Sequence, residues 1–349
     1  MNQIHYVVGI GRSGTSLLMS LLGAHPEIHC PPENYFRTFF RHAYAKKKEF
    51  TPREIKRILE FNRAFHELQP VVGYDYKVPP YLETENFKGD YDELCALIYK
   101  CYIHKSFPNK IPTIIVDKNP SNTLFLNQIR NNSPKAKFIL MVRDYRANIL
   151  SRKQSIHLLS PNVVFNAVRW AFFTIKAYRF KKKYPKDVLV VRYEDLVENK
   201  DKALGNILEF LKVKPIIDND KAQKERETYM EYKLHNSTKC SERAQKKYND
   251  LAKPIFKNRI DQWKVDLSSK EIRIADHFCS TLGKEFHYQS EASNSSIGWE
   301  TRLIAFYYIL KVQISYLKDV LTYYAPIQWK VNRFKIYVKK IERKRRSIT

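Results

Sequence analysis

The chain has 349 residues, enough to bury a full α/β core, and this length predicts one large domain or two smaller ones. Its 62 Lys and Arg residues outnumber its 36 Asp and Glu residues, and the resulting net charge of +26 suits an anionic partner. Nucleic acid, an anionic membrane, a polyanionic acceptor or a multiply charged nucleotide would meet this condition, although a solvated basic surface has the same composition.

Cysteine usage and hydropathy predict the compartment. The five cysteines are odd in number and lack Cys-x-x-Cys spacing, which favours free thiols in a reducing environment over disulfides or a metal site. A strand is predicted almost directly after Met1, and no run of about 18 uncharged apolar residues occurs, so we expect neither a signal peptide nor a spanning helix. These features predict a cytoplasmic protein.

The first predicted elements are a strand, a turn and a helix. The apolar run from His5 to Ile10 predicts a buried strand, and an apolar helix extends to Leu22. The turn between them is rich in glycine and hydroxyl side chains: Gly9, Gly11, Ser13, Gly14, Thr15 and Ser16. Such a turn directs backbone N–H groups and the positive end of a helix dipole to one point, where a phosphate fits.

The stretch 34–110 is rich in aromatic and basic residues and is predicted to be helical. Thr51 as N-cap and Pro52 at the first helical position indicate the start of one helix. A second helix is predicted from Asp90 to His104.

Three later apolar runs predict strands at 111–117, 137–142 and 187–193. The second is followed by a predicted helix from Arg146 to Gln154, and the third by a helix through Leu211. Strands that alternate with helices predict an α/β fold: a P-loop-like central parallel sheet flanked by helices, with ligands at the carboxyl ends of the strands.

The C-terminal part is predicted as a helix from Ser268 to Gly283, a linker at 291–298 and a tail at 299–349. The tail has twelve Lys and Arg against three Asp and Glu, with apolar residues at helical spacing. It is predicted either to pack on the main domain (1–290) or to lie on an anionic membrane as an amphipathic helix.

Three kinds of anion-binding loop compete for the glycine-rich turn. The spacing Gly9-x4-Gly14 is that of an NTPase P-loop, but Thr15 stands where that loop has its lysine. The turn also satisfies the dinucleotide pattern Gly-x-Gly-x-x-Gly, which does not require Arg12 or the hydroxyl pair that follows. The third kind is the 5′-phosphosulfate loop of sulfotransferases.

The residues favour the third kind. Gly11-Arg-Ser-Gly-Thr-Ser-Leu-Leu18, then Ala24 to Cys30 and Glu33, resemble the start of sulfotransferases that use 3′-phosphoadenylyl sulfate (PAPS), with the closest likeness to tyrosylprotein sulfotransferases and their bacterial relatives. The resemblance covers roughly 5–35, 111–155, 186–212 and 250–288. It departs from the protein-tyrosine members at Lys247, where they have a serine, and at Ser155, where a second arginine is expected.

The resemblance implies roles for individual residues. Glu33 is expected to be the general base, with His29 as runner-up, while Arg12 and Lys118 are expected to stabilise the sulfuryl oxygens. Arg143 and Ser151 are expected to bind the 3′-phosphate. The expected cofactor-binding set is Gly11, Arg12, Ser13, Gly14, Thr15, Ser16, Arg143, Ser151, Tyr193 and Lys253.

The sequence therefore predicts a metal-independent sulfotransferase that moves sulfate from PAPS to an acceptor hydroxyl. The stretch 34–110 is expected to form part of the acceptor side. A lipid or sterol acceptor is narrowly preferred, then a glycan and then protein tyrosine. The rival predictions are a P-loop kinase, and a basic protein with an inactive nucleotide fold that binds nucleic acid or membrane.

Overall fold

The computed structural model describes residues 3–68, 74–104, 107, 110–155, 160–215, 259–291 and 297–346. The strands are β1 (Gln3–Val8), β2 (Ile28–His29), β3 (Glu49–Phe50), β4 (Tyr74–Tyr76), β5 (Phe87–Lys88), β6 (Tyr102–His104), β7 (Ile114–Lys118), β8 (Phe138–Val142) and β9 (Val188–Arg192). The helices before the central gap are α1 (Thr15–Gly23), α2 (Phe36–Tyr44), α3 (Pro52–Leu68), α4 (Tyr81–Thr84), α5 (Tyr91–Lys100), a 3-10 helix (Pro120–Leu124), α6 (Leu126–Asn132), α7 (Tyr145–Lys153), α8 (Val163–Lys183), α9 (Tyr193–Glu198) and α10 (Lys200–Leu211). The helices after it are α11 (Trp263–Asp266), α12 (Ser269–Lys284), α13 (Trp299–Tyr324) and α14 (Ile327–Arg346).

The main sheet has the order β2-β7-β1-β8-β9, and all its pairings are parallel. Its long strands are nearly continuous apolar runs because helices cover both faces. Tyr6 and Val8 point into the larger core with α2, α5, α7, α8 and α12, whereas Val7 points into the smaller core with α1 and α10. The predicted α/β fold is confirmed, with the predicted strands shifted by at most three residues at either end.

The stretch 34–110 contains more than helices. Thr51 and Asp90 begin α3 and α5 as predicted, and the Asp90 side chain accepts from the backbone N–H of Glu93. However, the helix predicted to reach His104 ends at Lys100, and residues 102–104 pair with β4 instead. The aromatic and β-branched side chains of residues 102–104 suit a strand better than a helix.

The tail forms two helices that pack on the main domain. Ala325 has extended backbone before Pro326, which separates α13 from α14. Ala305, Val312 and Tyr323 of α13 belong to the larger core. Among the described helices we find no candidate for a membrane-spanning segment.

Gly9 is the glycine whose replacement should harm the fold most directly. Its φ of +128° is unfavourable for any other residue, and a Cβ there would lie 2.2 Å from the carbonyl oxygen of Met141 in β8. We expect Gly9→Ala to lower the free energy of unfolding by about 2–4 kcal/mol, measured by chemical denaturation. Gly205→Ala is the matched control: it lies inside α10, where a Cβ meets nothing within 4 Å, and it should leave stability unchanged or raise it by about 0.5–1 kcal/mol. Equal stability of Gly9→Ala and the wild type would contradict this close approach.

Candidate active site

The site lies where four neighbouring strands end. The glycine-rich loop follows β1, Lys118 ends β7, Arg143 follows β8, and Tyr193 follows β9. Since all four strands are parallel, these residues leave the same edge of the sheet.

The backbone of the loop is shaped to receive an anion. Arg12 has a φ of 76° and Gly14 a φ of 86°, both in the left-handed region. Gly14 precedes α1 as its N-cap and offers no side chain to cap it, which leaves the first N–H groups of the helix, beginning with those of Thr15 and Ser16, without an intrahelical carbonyl. A Cβ at Gly14 would lie 2.5 Å from the Tyr193 ring, so that ring forms a wall against the loop.

Neutral polar side chains hold the loop in place. The Gly9 N–H donates to Thr123 Oγ1 over 2.9 Å. Asn148 Nδ2 donates to the Gly11 carbonyl at 3.2 Å and to Ser13 Oγ at 3.1 Å. Neither Thr123 nor Asn148 was among the predicted site residues, although Asn148 lies one helical turn before Ser151 and so on the same face of α7.

Arg143 is buried at the centre of the site. Its guanidinium donates to the carbonyls of Arg12 at 3.4 Å and of Arg259 at 2.7 Å, and it stacks on Tyr193 with Cζ 4.3 Å from the ring centre. Burial, which removes hydration from the cation, lowers the pKa of Arg143. Within the described part of the chain no carboxylate pairs with it, and its Nε has no hydrogen-bond partner.

Arg143 forms no ion pair with the nearby acids Asp144 and Glu194. Asp144 instead caps α7 and binds Arg146, with Oδ2 2.7 Å from the guanidinium. Glu194 accepts from the Asp144 N–H at 3.0 Å and from the Tyr288 hydroxyl at 2.8 Å. Both acids therefore hold the turn after β8 and leave Arg143 available.

Several other cationic side chains lie near the site of Arg143. Arg12 Nε donates to Ser151 Oγ over 3.0 Å, so the two predicted phosphate subsites are in direct contact. Burial, together with the nearby charges of Arg169 and Arg12, lowers the pKa of Arg152 to about 10. Cations kept this close together repel each other, and a bound anion would relieve that repulsion.

Glu33 and Lys118 form an ion pair. Lys118 Nζ donates to Glu33 Oε2 over 2.5 Å. The lysine side chain is 10% exposed and the glutamate side chain 35%, so solvent or an acceptor reaches the carboxylate more easily than the ammonium group. The Tyr35 hydroxyl lies 3.5 Å from Glu33 Oε1, and desolvation and this carboxylate raise the pKa of Tyr35 to about 12.

Buried amides fix the two loops that carry this pair. Asn34 Nδ2 donates to Asn62 Oδ1 at 2.6 Å and to the Tyr102 hydroxyl at 2.8 Å. Asn119, next to Lys118, donates to the Asn34 carbonyl at 3.4 Å and accepts from the Ser121 N–H. The loop of Glu33 is thus tied to the end of β7.

His29 and Lys253 are the two predicted residues outside the cluster just described. His29 is buried on β2, and its Nε2 lies 2.9 Å from the Tyr99 carbonyl, an arrangement typical of a structural histidine. Lys253 lies outside the described residues. Within the described ranges no group of three or more His, Cys, Asp or Glu side chains could hold a metal ion.

Comparison with known proteins gives consistent matches. Residues 6–218 match the model of the sulfotransferase family. Protein-tyrosine sulfotransferase A of Caenorhabditis elegans is 25% identical over 213 residues, which are 60% of this chain and 49% of that protein, so the chain spans about half the length of this curated relative. Among solved structures, the sulfotransferase domain of the Synechococcus PCC 7002 olefin synthase is 19% identical, with a TM-score of 0.44 over 79% of this chain and 94% of that one. Mouse sulfotransferase SULT7A1 complexed with PAP is 15% identical, with a TM-score of 0.46 over 87% and 89%.

The burial of His29 should make the protein sensitive to acid. Desolvation lowers the pKa of His29 from 6.5 to about 4, so the unfolded chain binds an extra proton between these values. The stabilising contribution is complete above pH 6.5 and is lost as the pH falls, by about 2 kcal/mol between pH 7 and pH 5. We expect His29→Gln to remove this part of the acid sensitivity, measured by urea unfolding at both pH values. Substitution of exposed His277 by Gln is the control for loss of an imidazole at the surface. An acid sensitivity of His29→Gln equal to that of the wild type would refute the assignment.

Proposed function

Since the chain belongs to the sulfotransferase family, we propose that it transfers the sulfuryl group of PAPS to the hydroxyl of a lipid or sterol, with Glu33 as general base. The observation that carries the donor assignment is the buried Arg143 beside the glycine-rich loop, which forms no ion pair with a carboxylate in the described part of the chain. The loop offers backbone N–H groups to one phosphate, and Arg143 with Ser151 offers a guanidinium and a hydroxyl to another.

The residues present fit such a donor. Within the described residues Arg143 Nε is buried without a hydrogen-bond partner, and Gly14, packed against the Tyr193 ring, leaves the first N–H groups of α1 without a side-chain cap. PAPS supplies an activated sulfuryl group on its 5′-phosphate and a separate 3′-phosphate. We assign the 5′ end to residues 11–16 and the 3′-phosphate to Arg143 and Ser151.

The chemistry at Glu33 and Lys118 follows from their contact. Glu33 accepts the proton of the acceptor hydroxyl as the new oxygen–sulfur bond forms and the bond from sulfur to the phosphate oxygen breaks. Lys118, with Arg12, stabilises negative charge on the sulfuryl oxygens, and the electron pair of the broken bond leaves with 3′,5′-adenosine bisphosphate. Lys118 also keeps the Glu33 carboxylate in position before the acceptor arrives.

Aromatic side chains lie around Glu33. Tyr35 and the aromatic side chains of α2 and α3 next to it, with Tyr35 and Phe65 rings 5.6 Å apart, favour an apolar molecule over a glycan. Protein tyrosine is the second candidate, because the Caenorhabditis elegans relative carries that name.

The donor proposal is tested by isothermal titration with 3′,5′-adenosine bisphosphate, ATP and NAD. We expect binding of the bisphosphate in the micromolar range, at least about a hundredfold weaker in Arg143→Ala because a charge-assisted bidentate contact is lost. Arg146→Ala tests an arginine of the same turn that is already paired with Asp144, and the loss should be much smaller if the variant folds. Binding of ATP or NAD in place of the bisphosphate would overturn the donor assignment. It would favour an NTPase P-loop or a dinucleotide-binding loop instead.

The base is tested by Glu33→Gln. We expect turnover of PAPS with cholesterol in mixed micelles to fall by about 100-fold to 10,000-fold, because the amide cannot accept the proton, while the bisphosphate still binds. Glu27→Gln changes a nearby carboxylate outside the site and should keep full activity. The same assay with a tyrosine peptide decides between the two acceptor classes. Unchanged turnover in Glu33→Gln would remove this residue from the role.

A further inference from the structure

The two C-terminal helices have an apolar surface that the main domain does not cover. Of the eighteen large apolar side chains that are strongly exposed in the described ranges, fourteen lie between residues 299 and 337. A monomeric globular protein rarely exposes so many together without a partner.

On α13 these side chains form one continuous stripe. They recur every three or four residues, and its centre consists of Leu303, Phe306, Leu310, Ile314, Leu317 and Leu321. At 3.6 residues per turn, the stripe lies about 150° around the helix from Ala305, Val312 and Tyr323, which pack on the main domain. The helix is therefore apolar on two nearly opposite sides, and it spans roughly 39 Å.

The ends of the stripe are aromatic. Trp299 begins α13 and is 70% exposed, and Tyr324 ends the helix and is 49% exposed. On the exposed side of α14, the guanidinium of Arg333 lies over the ring of Trp329, 4.7 Å from the ring centre. Tryptophan and tyrosine favour the boundary between water and lipid, because their rings are apolar and their N–H or O–H groups are polar.

Cations outnumber carboxylates around the stripe. Arg302 flanks it on one side, and Lys311 and Lys318 on the other. Of the two carboxylates of α13, Glu300 lies in the first turn, and Asp319 lies close enough to Arg169 of α8 to interact with its charge. A second copy of the chain would place cations opposite cations, whereas an anionic surface would neutralise them.

We propose that α13 and the start of α14 form a docking face for an anionic lipid bilayer. The helix lies in the plane of the interface, with the stripe in the acyl boundary and the lysines at the headgroups. The unusual double-sided composition of α13 follows directly, since one side must pack on protein and the other on lipid.

The docking face also lies close to the proposed acceptor side. Tyr337 of α14 lies near enough to Tyr35 for the two hydroxyls to interact electrostatically, and Tyr35 is next to Glu33. Lys330 of the same helix donates to the carbonyl of Phe39 at 2.8 Å, which fixes α14 against α2. This link to the acceptor rests on the proposed function; the docking face itself does not.

The test is flotation of the purified full chain with vesicles. We expect it to float with phosphatidylcholine vesicles that contain about 30% phosphatidylserine, less with phosphatidylcholine alone, and less as salt is raised. The triple substitution Leu303→Ser, Leu310→Ser and Leu317→Ser should lower the partition coefficient at least about tenfold, since three apolar anchors are lost. These side chains are 61%, 41% and 55% exposed, so the fold should not depend on them.

The matched control replaces three exposed apolar residues elsewhere, Tyr81→Ser, Ile111→Ser and Val265→Ser, and should float like the wild type. Titration with 3′,5′-adenosine bisphosphate checks each variant for an intact site and separates a failure of this inference from a failure of the proposed function. Equal flotation of the stripe variant and the wild type would overturn the proposal. The proposal would also be overturned if the wild type did not bind the vesicles and instead formed a dimer, detected by light scattering, that the stripe variant does not form.

Discussion

Parallel pairing of β1 with both β7 and β8 is the constraint on which the site depends. The register aligns Val7 with Lys118 and Val8 with Leu140, so the glycine-rich loop, Lys118 and Arg143 emerge at one edge. Adjacent strands are about 4.8 Å apart, and side chains from three neighbouring strand ends can therefore meet around one small anion. The two apolar cores on either side of the sheet supply the stability that holds this edge together against the repulsion of its cations.

Neutral and acidic side chains support different parts of the strand ends around Arg143. The neutral side chains of Thr123, Asn119 and Asn148 hold the glycine-rich loop and the loops of Glu33 and Lys118. The carboxylates of Asp144 and Glu194 lie behind these loops. They accept hydrogen bonds from Arg146 and Tyr288, respectively. This arrangement satisfies buried backbone groups of the loops without an ion pair between these acids and Arg143.

The sheet and the loop could be predicted from sequence because strands buried on both faces are continuous apolar runs, and because a glycine-rich turn after a strand has few other uses. The predicted end of α5 at His104 was wrong, because the pairing of residues 102–104 with β4 outweighs the local helical periodicity. The support by Thr123 and Asn148 could not be predicted, because it depends on contacts between residues more than 100 positions apart. No motif marks α8 either, although its Trp170 donates to the Arg143 carbonyl at 3.3 Å. The tail was predicted as helical, but the alternatives of packing on the domain and facing a membrane are not exclusive when one helix has two apolar sides.

The way α13 packs has a consequence for where the folding unit ends. Tyr308 and Tyr316 lie against Phe165 and Phe172 of α8, and Tyr323 stacks on Phe125 at 5.0 Å. A chain cut at residue 290, the boundary suggested by composition, would retain every strand of the sheet but would uncover these aromatic rings to water. The tail is thus a cover for the larger core as well as an appendage, and a shortened protein would be prone to aggregate before any loss of chemistry could be measured.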